Sequence, residues 1–326
     1  MSAPATARHP YEGSLSPGRP DSRARSHTLA LIDISHRLRP RDLTIAALLE
    51  AHTTLCTDQL TALLFGSPIT CRHRLHLLRR LGFLDRFLHT WPDAPGPVCW
   101  LPGPLGARYI ALSRNDTPPT AKGLRERTDR IATSPTLRHL LAVNQFYVTL
   151  LAHARGDPAH PGDPGDPAAD LTRWWSERDT AAAFGQRIHP DGHGVWTDRH
   201  GETGFFLELD RGTEQISRLT AKLAPHRRLR DAGGPDYPLL FVVPGPVREQ
   251  NLHRRLAETP VGFTVATTWA GAGAGAGPAG PVWWIAGTEP DRVRLSELPS
   301  SHGPAGPLTP GPPTAIQHPL YLLTLP

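Results

Sequence analysis

Residues 188–222 read IHPDGHGVWTDRHGETGFFLELDRGTEQISRLTAK, and this stretch decides the fold. A polar turn at 198–201 separates two short segments with strand-like composition, which predicts a β-hairpin. The second segment, 204–210, is apolar enough to be buried on both faces, yet it ends in Glu208 and Asp210. Because side chains alternate along a strand, these two carboxylates are predicted to share a face, ~7 Å apart.

A third carboxylate, Asp191, is predicted to lie at the mouth of the same hairpin. Acidic groups brought together in this way repel one another, and a buried strand that carries them needs a metal ion, arginines or protonation. A hard divalent cation such as Mg²⁺ or Mn²⁺ is the usual solution. The candidate metal ligands are therefore Asp191, Glu208 and Asp210, in the pattern of a metal-dependent phosphodiesterase.

Residues 36–112 are predicted to form three helices followed by a two-stranded ribbon. Two helices, a basic third helix and a two-stranded ribbon follow one another in a winged-helix domain, and the third helix enters a major groove of double-stranded DNA. The alternatives are a solvated basic face on an ordinary helical domain, or a winged helix that contacts proteins. The candidate DNA-binding residues all lie on the third predicted helix: Arg72, Arg74, His76, Arg79 and Arg80.

The whole chain is predicted to be of the α/β class, α+β overall, with a central mixed sheet flanked by helices after the winged helix. Breaks rich in proline and glycine set the other boundaries. The predicted segments outside the winged helix are a disordered basic tail at 1–35, a linker at 113–133, the α/β domain at 134–270 with an inserted loop at 156–170, and a low-complexity linker and tail at 271–326 with a possible hairpin at 282–298.

The composition limits the kinds of partner that are expected for this protein. The formal net charge is +5 and the pI about 9.5, with lysine only at Lys122 and Lys222. Arginine suits phosphate recognition, although a GC-rich genome produces the same composition. Three cysteines without metal-ligand spacing indicate a reducing, cytoplasmic setting. No segment has the pattern of a signal peptide or a membrane span, so no membrane partner is expected.

The quoted residues resemble known families. Pro190-Asp191 with Glu208-Leu209-Asp210 resembles the core of PD-(D/E)XK nucleases, with Asp210 where that core has lysine. Together with RHLLAVNQFYVTLLA, HPDGHGV, FFLELDRGTEQISRLTAKL and LLFVVPGPVREQNL, the chain over about 36–260 resembles the actinobacterial replication-relaxation family. That family is linked to plasmid replication and mobilisation. The resemblance implies catalytic roles for Asp191, Glu208 and Asp210, with Lys222 in place of the missing strand lysine.

Three functions follow as hypotheses. The first is a DNA-binding factor of plasmid or mobile-element replication or mobilisation, in which the nuclease-like domain is either active or a scaffold for DNA binding. Other replication or transfer proteins would be its further partners. The second is an active endodeoxyribonuclease or nickase that uses Mg²⁺ or Mn²⁺. The third is a winged-helix transcriptional regulator with a partner- or ligand-binding C-terminal domain.

Overall fold

The computed structural model describes residues 30–91, 94–155, 166–258, 261–272 and 275–323. The chain forms two compact units, Met1–Arg37 and Leu38–Pro326. In the first unit, residues 30–35 are helical, so the predicted disorder does not extend to this end of the basic tail. The rest of that tail, 1–29, lies outside the described residues, as does most of the predicted loop at 156–170.

The first part of Leu38–Pro326 consists of helices packed on a small antiparallel sheet. Pro40 begins the first helix, and the Asp42 carboxylate accepts a 2.7 Å hydrogen bond from the backbone amide of Arg39, which caps it. The elements are α1 (Pro40–Ala51), β1 (Leu55–Cys56), α2 (Thr57–Leu64), α3 (Pro68–Arg80), β2 (Leu84–Thr90) and β3 (Pro95–Pro102), and the strand order is β1-β3-β2. The three helices and the ribbon lie where the sequence predicts them.

The segment predicted as a linker at 113–133 is largely helical. Helix α4 (Pro104–Ser113) ends at the first residue of this region, and α5 (Ala121–Ala132) occupies more than half of it. The Thr120 hydroxyl caps α5 by accepting from the Gly123 amide at 3.1 Å. Ile131 packs against a small cluster that includes Cys99 and Leu137. A side-chain cap and a few apolar contacts are sufficient to order a strongly charged helix here.

The helices α1 to α5 and the small sheet, residues 40–132, form what is here called the helical part. One long helix, α6 (Leu137–Ala154), connects the helical part to the large sheet. It contacts α2 on one side and strand β4 (Asp170–Ser176) on the other. Asn144 on α6 donates to the backbone carbonyl of Thr54 at 2.8 Å, and its side-chain oxygen accepts from the His52 Nδ1 atom at 3.0 Å. The two predicted domains are therefore joined within one compact unit by buried polar contacts.

The elements that follow β4 are α7 (Glu177–Ala183), β5 (Gly192–Asp198), β6 (Gly201–Leu209), α8 (Ile216–Ala221), α9 (Leu223–Asp231), β7 (Leu239–Val243), α10 (Pro246–Ala257), β8 (Val265–Trp269), β9 (Trp283–Ile285) and β10 (Arg292–Val293). The large sheet has seven strands in the order β10-β9-β8-β7-β6-β5-β4. Strands β6, β7 and β8 are parallel to one another and the remaining pairs are antiparallel, so the sheet is mixed, as predicted. The predicted hairpin at 192–209 is present.

Strand β6 is covered on both faces. Phe205 contacts Phe146 of α6, whereas Phe206 belongs to the core formed with α8, α9 and α10. Alternation along the strand then directs Glu208 to the same side as Phe206. The apolar run that predicts burial on both faces is thus explained by helix layers on each side of the sheet.

Residue 222 separates two helices where the sequence predicts a single helix from 214 to 225. Helix α8 ends at Ala221 and α9 begins at Leu223. Pro225 lies in the first turn of α9, where its missing amide hydrogen is not needed, so it does not end the helix. The break places Lys222 at the junction.

The C-terminal segment is packed and is not simply a low-complexity tail. Strands β9 and β10 form an antiparallel pair within the predicted hairpin range, and they extend the large sheet. Farther on, the fully buried guanidinium of Arg173 in β4 donates to Gln317 at 2.7 and 3.1 Å and to the Gly311 carbonyl at 3.0 Å. Proline- and glycine-rich composition does not prevent this packing because the segment supplies hydrogen-bond acceptors to a buried cation. No helix in the described ranges has the length and hydropathy of a membrane span.

Candidate functional site

The predicted acidic residues lie together at one end of β6. Gly192 pairs with Leu207 in the β5–β6 hairpin, which brings Asp191 beside the last residues of β6. The second carboxylate oxygen of Asp191 accepts a 2.7 Å hydrogen bond from the backbone amide of Leu209. Asp191, Asp210, Lys222 and His139 line one cleft of about 300 Å³.

Each carboxylate has its own basic partner. The Asp191 carboxylate lies 2.8 Å from His139 Nε2, and Glu208 Oε2 lies 2.5 Å from Lys222 Nζ. Asp210 accepts from Arg248 Nε at 2.7 Å and from the Gly212 amide at 2.8 Å. The negative charge of the cluster is therefore distributed over three separate contacts.

Glu208 is the least well compensated of the three. Its side chain is 3% exposed. Burial raises the pKa of Glu208 to about 8, the charge of Asp191 adds to the increase, and Lys222 opposes it. A single ammonium therefore does not offset the cost of burying this carboxylate beside another one.

Asp191 and Glu208 shift the pKa values of the two basic groups that lie nearest to them. Burial lowers the pKa of Lys222, but the charges of Glu208 and Asp191 outweigh burial and hold it above its usual value. The hydrogen bond that His139 donates to Asp191 raises the pKa of His139, with burial opposing. Both shifts favour the cationic forms that compensate the acids.

The site residues in this arrangement do not fit a metal ion. Among the described residues, no three His, Cys, Asp or Glu side chains are grouped so as to hold one. An ion shared by Asp191, Glu208 and Asp210 would have to displace Lys222 and Arg248 from contacts with carboxylates that are 3% and 1% exposed. Basic side chains, one of the three compensations that the sequence leaves open, contact all three acids, and the raised pKa of Glu208 adds protonation at neutral pH.

Two residues of the site, Arg248 and His139, lie outside the candidate set of Asp191, Glu208, Asp210 and Lys222. Arg248 lies in the first turn of α10 and reaches Asp210 from a point 38 residues later in the chain, so no local pattern indicates the pair. His139 interrupts the apolar face of α6, a signal that fits a role in orienting a site. Asn144 on the same helix instead satisfies backbone carbonyls of the helical part.

The predicted DNA-binding residues fall into two groups. Arg72, His76, Arg79 and Arg80 are exposed on α3, together with His73. Arg74 is different, because its guanidinium pairs with the buried carboxylate of Asp42 through Nε at 2.9 Å and through Nη2. Arg74 therefore holds α3 against α1, and the exposed basic surface consists of the other residues.

Fold and site together define a mixed α/β protein with a basic helical part and a carboxylate–lysine cluster at the edge of its sheet. The chain belongs to the replication-relaxation family, whose family model matches residues 47–238, more than half of the 326 residues. The match spans the helical part and the acidic strand. Searches of curated proteins and of solved structures found no match.

Proposed function

We propose that this protein binds double-stranded DNA in the replication or mobilisation of a plasmid or other mobile element. Membership of the replication-relaxation family supports a role in replication or mobilisation. The observation that carries the DNA contact is the exposed basic face of α3, formed by Arg72, His76, Arg79 and Arg80. Its order after α1 and α2 and before the β2–β3 ribbon is that of a winged helix.

The contacts of α3 support this use of the helix. Its apolar positions, Cys71, Leu75 and Leu78, are buried, and Arg74 anchors it to Asp42. The remaining face is exposed, with contacts to the fold from Arg79, whose Nε lies 3.9 Å from Asp85, and from His76, whose ring meets that of Trp100 edge-on. Arginines on such a face can pair with phosphates and release counterions, which makes binding depend on salt.

The test is duplex-DNA binding by fluorescence anisotropy over a series of salt concentrations. Arg72→Ala and Arg80→Ala are each expected to weaken binding and to reduce the slope of log K against log salt by about 1. Arg254→Ala, an exposed arginine on α10, is the matched control and should leave the slope unchanged. Equal affinity and slope in the wild type and all three variants would contradict the proposal.

The same protein preparation is also tested for metal-dependent cleavage of DNA, which the nuclease resemblance implies. Supercoiled plasmid is incubated with the protein and Mg²⁺ or Mn²⁺, with Asp191→Asn and Glu208→Gln as controls. Because the carboxylates have protein cations as partners, we expect binding without nicking. Nicking by the wild type that both variants lose would establish the endonuclease function and show that the site rearranges when it binds a metal.

A further inference from the structure

One residue on the basic face of α3 does not fit a purely electrostatic surface. Ile69, in the first turn of α3, is 62% exposed. The helical repeat places it in line with His73, His76 and Arg80, directly opposite the buried Cys71, Leu75 and Leu78. A large apolar side chain thus lies at the N-terminal end of the face that is proposed to meet DNA.

Packing in the protein core does not explain why an isoleucine stands at position 69. Its exposure leaves most of its apolar surface in water, and a β-branched residue is not a favoured helix former. Neighbouring positions on the face are basic, so Ile69 is not part of a larger apolar patch on α3. An isolated apolar side chain of this kind suits a small apolar target.

Double-stranded DNA presents such a target in the major groove. The C5-methyl group of thymine is its apolar feature, and recognition helices contact base edges mainly through their N-terminal residues. The basic residues at the other end of α3, Arg79 and Arg80, are suited to phosphates, which fix position without reading sequence.

We propose that Ile69 contacts a thymine methyl group and gives this protein a preference for thymine at one position of its binding site. The inference rests on the proposed DNA-binding function and adds the residue and base feature that specify sequence. Arg72 follows Ile69 by three residues, about 4.5 Å along the helix axis. Its contact should therefore fall within roughly two base pairs of that thymine, given ~3.4 Å per base pair.

The test begins with selection of preferred duplexes from a random pool by the full-length protein. Each thymine of the selected site is then replaced in turn by deoxyuridine, which removes only the methyl group. At one position the wild type is expected to lose about fourfold in affinity, the factor that corresponds to one buried methyl group. Ile69→Ala is expected to bind the thymine and deoxyuridine duplexes equally.

The chain offers a matched control. Val247 follows Pro246 at the start of α10, as Ile69 follows Pro68, and it is 69% exposed. Val247→Ala should therefore keep the wild-type difference between thymine and deoxyuridine, and thermal unfolding should show that both variants fold.

The outcomes separate the inference from the function beneath it. Wild-type binding that no deoxyuridine replacement weakens, or the same thymine dependence in Ile69→Ala as in the wild type, would overturn the role of Ile69 while leaving DNA binding intact. Failure of the wild type to bind any duplex would overturn the proposed function as well.

Discussion

Replacing Glu208 with glutamine is expected to remove a pH dependence from the stability of this protein. In the wild type, burial and the nearby Asp191 raise the pKa of Glu208 from 4.5 to about 8. The folded state therefore binds the Glu208 proton more tightly than the unfolded state does. This stabilising contribution is complete below about pH 4.5 and is lost as the pH rises through about 8.

The magnitude follows from the size of the pKa change. The difference between 4.5 and about 8 corresponds to about 5 kcal/mol over the full range, at 1.36 kcal/mol for each pKa unit. Between about pH 5.5 and 8.5, the wild type should lose about 3 kcal/mol of unfolding free energy that Glu208→Gln keeps. Lys222, which is 36% exposed, can hydrate its ammonium when its partner is neutral, so the variant retains the fold.

The assay is urea unfolding at several pH values. The midpoint is compared for the wild type, Glu208→Gln and the control Glu289→Gln, which changes an exposed carboxylate. The unfolding free energy of Glu208→Gln relative to the wild type should rise by about 3 kcal/mol between about pH 5.5 and 8.5, whereas the control should follow the wild type throughout. Parallel pH profiles for all three proteins would refute the assignment of a raised pKa to Glu208.

Three further changes test other contacts. Arg248→Ala leaves Asp210, which is 1% exposed, without its cation, and should lower the unfolding free energy by about 3–5 kcal/mol; retention of wild-type stability would show that the pair is dispensable. Asn144→Ala removes the donor to buried carbonyls between α6 and the helical part, and should cost about 1–3 kcal/mol in urea unfolding, whereas no change would mean that water replaces the amide. Gly204→Ala would place a Cβ 2.4 Å from the buried ring of Tyr237, and a loss of about 1–3 kcal/mol is expected by thermal unfolding; an unchanged midpoint would show that the ring can move.

The elements that the sequence predicts well are those with local signals. Pro40, Thr57 and Pro68 lie at the starts of the first three helices, and the short apolar run at 204–209 identifies the acidic strand. These features depend on neighbouring residues and on a single period, so they can be read without knowing the rest of the fold.

The parts that escape prediction depend on contacts between distant residues. The pairing of Asp210 with Arg248 and the anchoring of Arg74 by Asp42 join helices and strands whose spatial order the sequence does not state. A basic residue on a helix therefore gives no sign of whether it faces a partner or the solvent. The carboxylate cluster and Lys222 could be located from the sequence, but Arg248, which compensates Asp210, could not.

The burial of Arg173 has a consequence for biosynthesis. Its acceptor Gln317 lies 144 residues farther along the chain, and at ribosomal speeds of ~5–20 residues per second that interval lasts on the order of ten seconds. During this time β4 can pair with β5, but the Arg173 guanidinium lacks the Gln317 side-chain oxygen that accepts its hydrogen bonds in the folded protein. Closure of this edge of the sheet therefore waits until Gly311 and Gln317 have been synthesised, and a nascent chain stalled before Gly311 would expose an incompletely paired cation to chaperones and proteases.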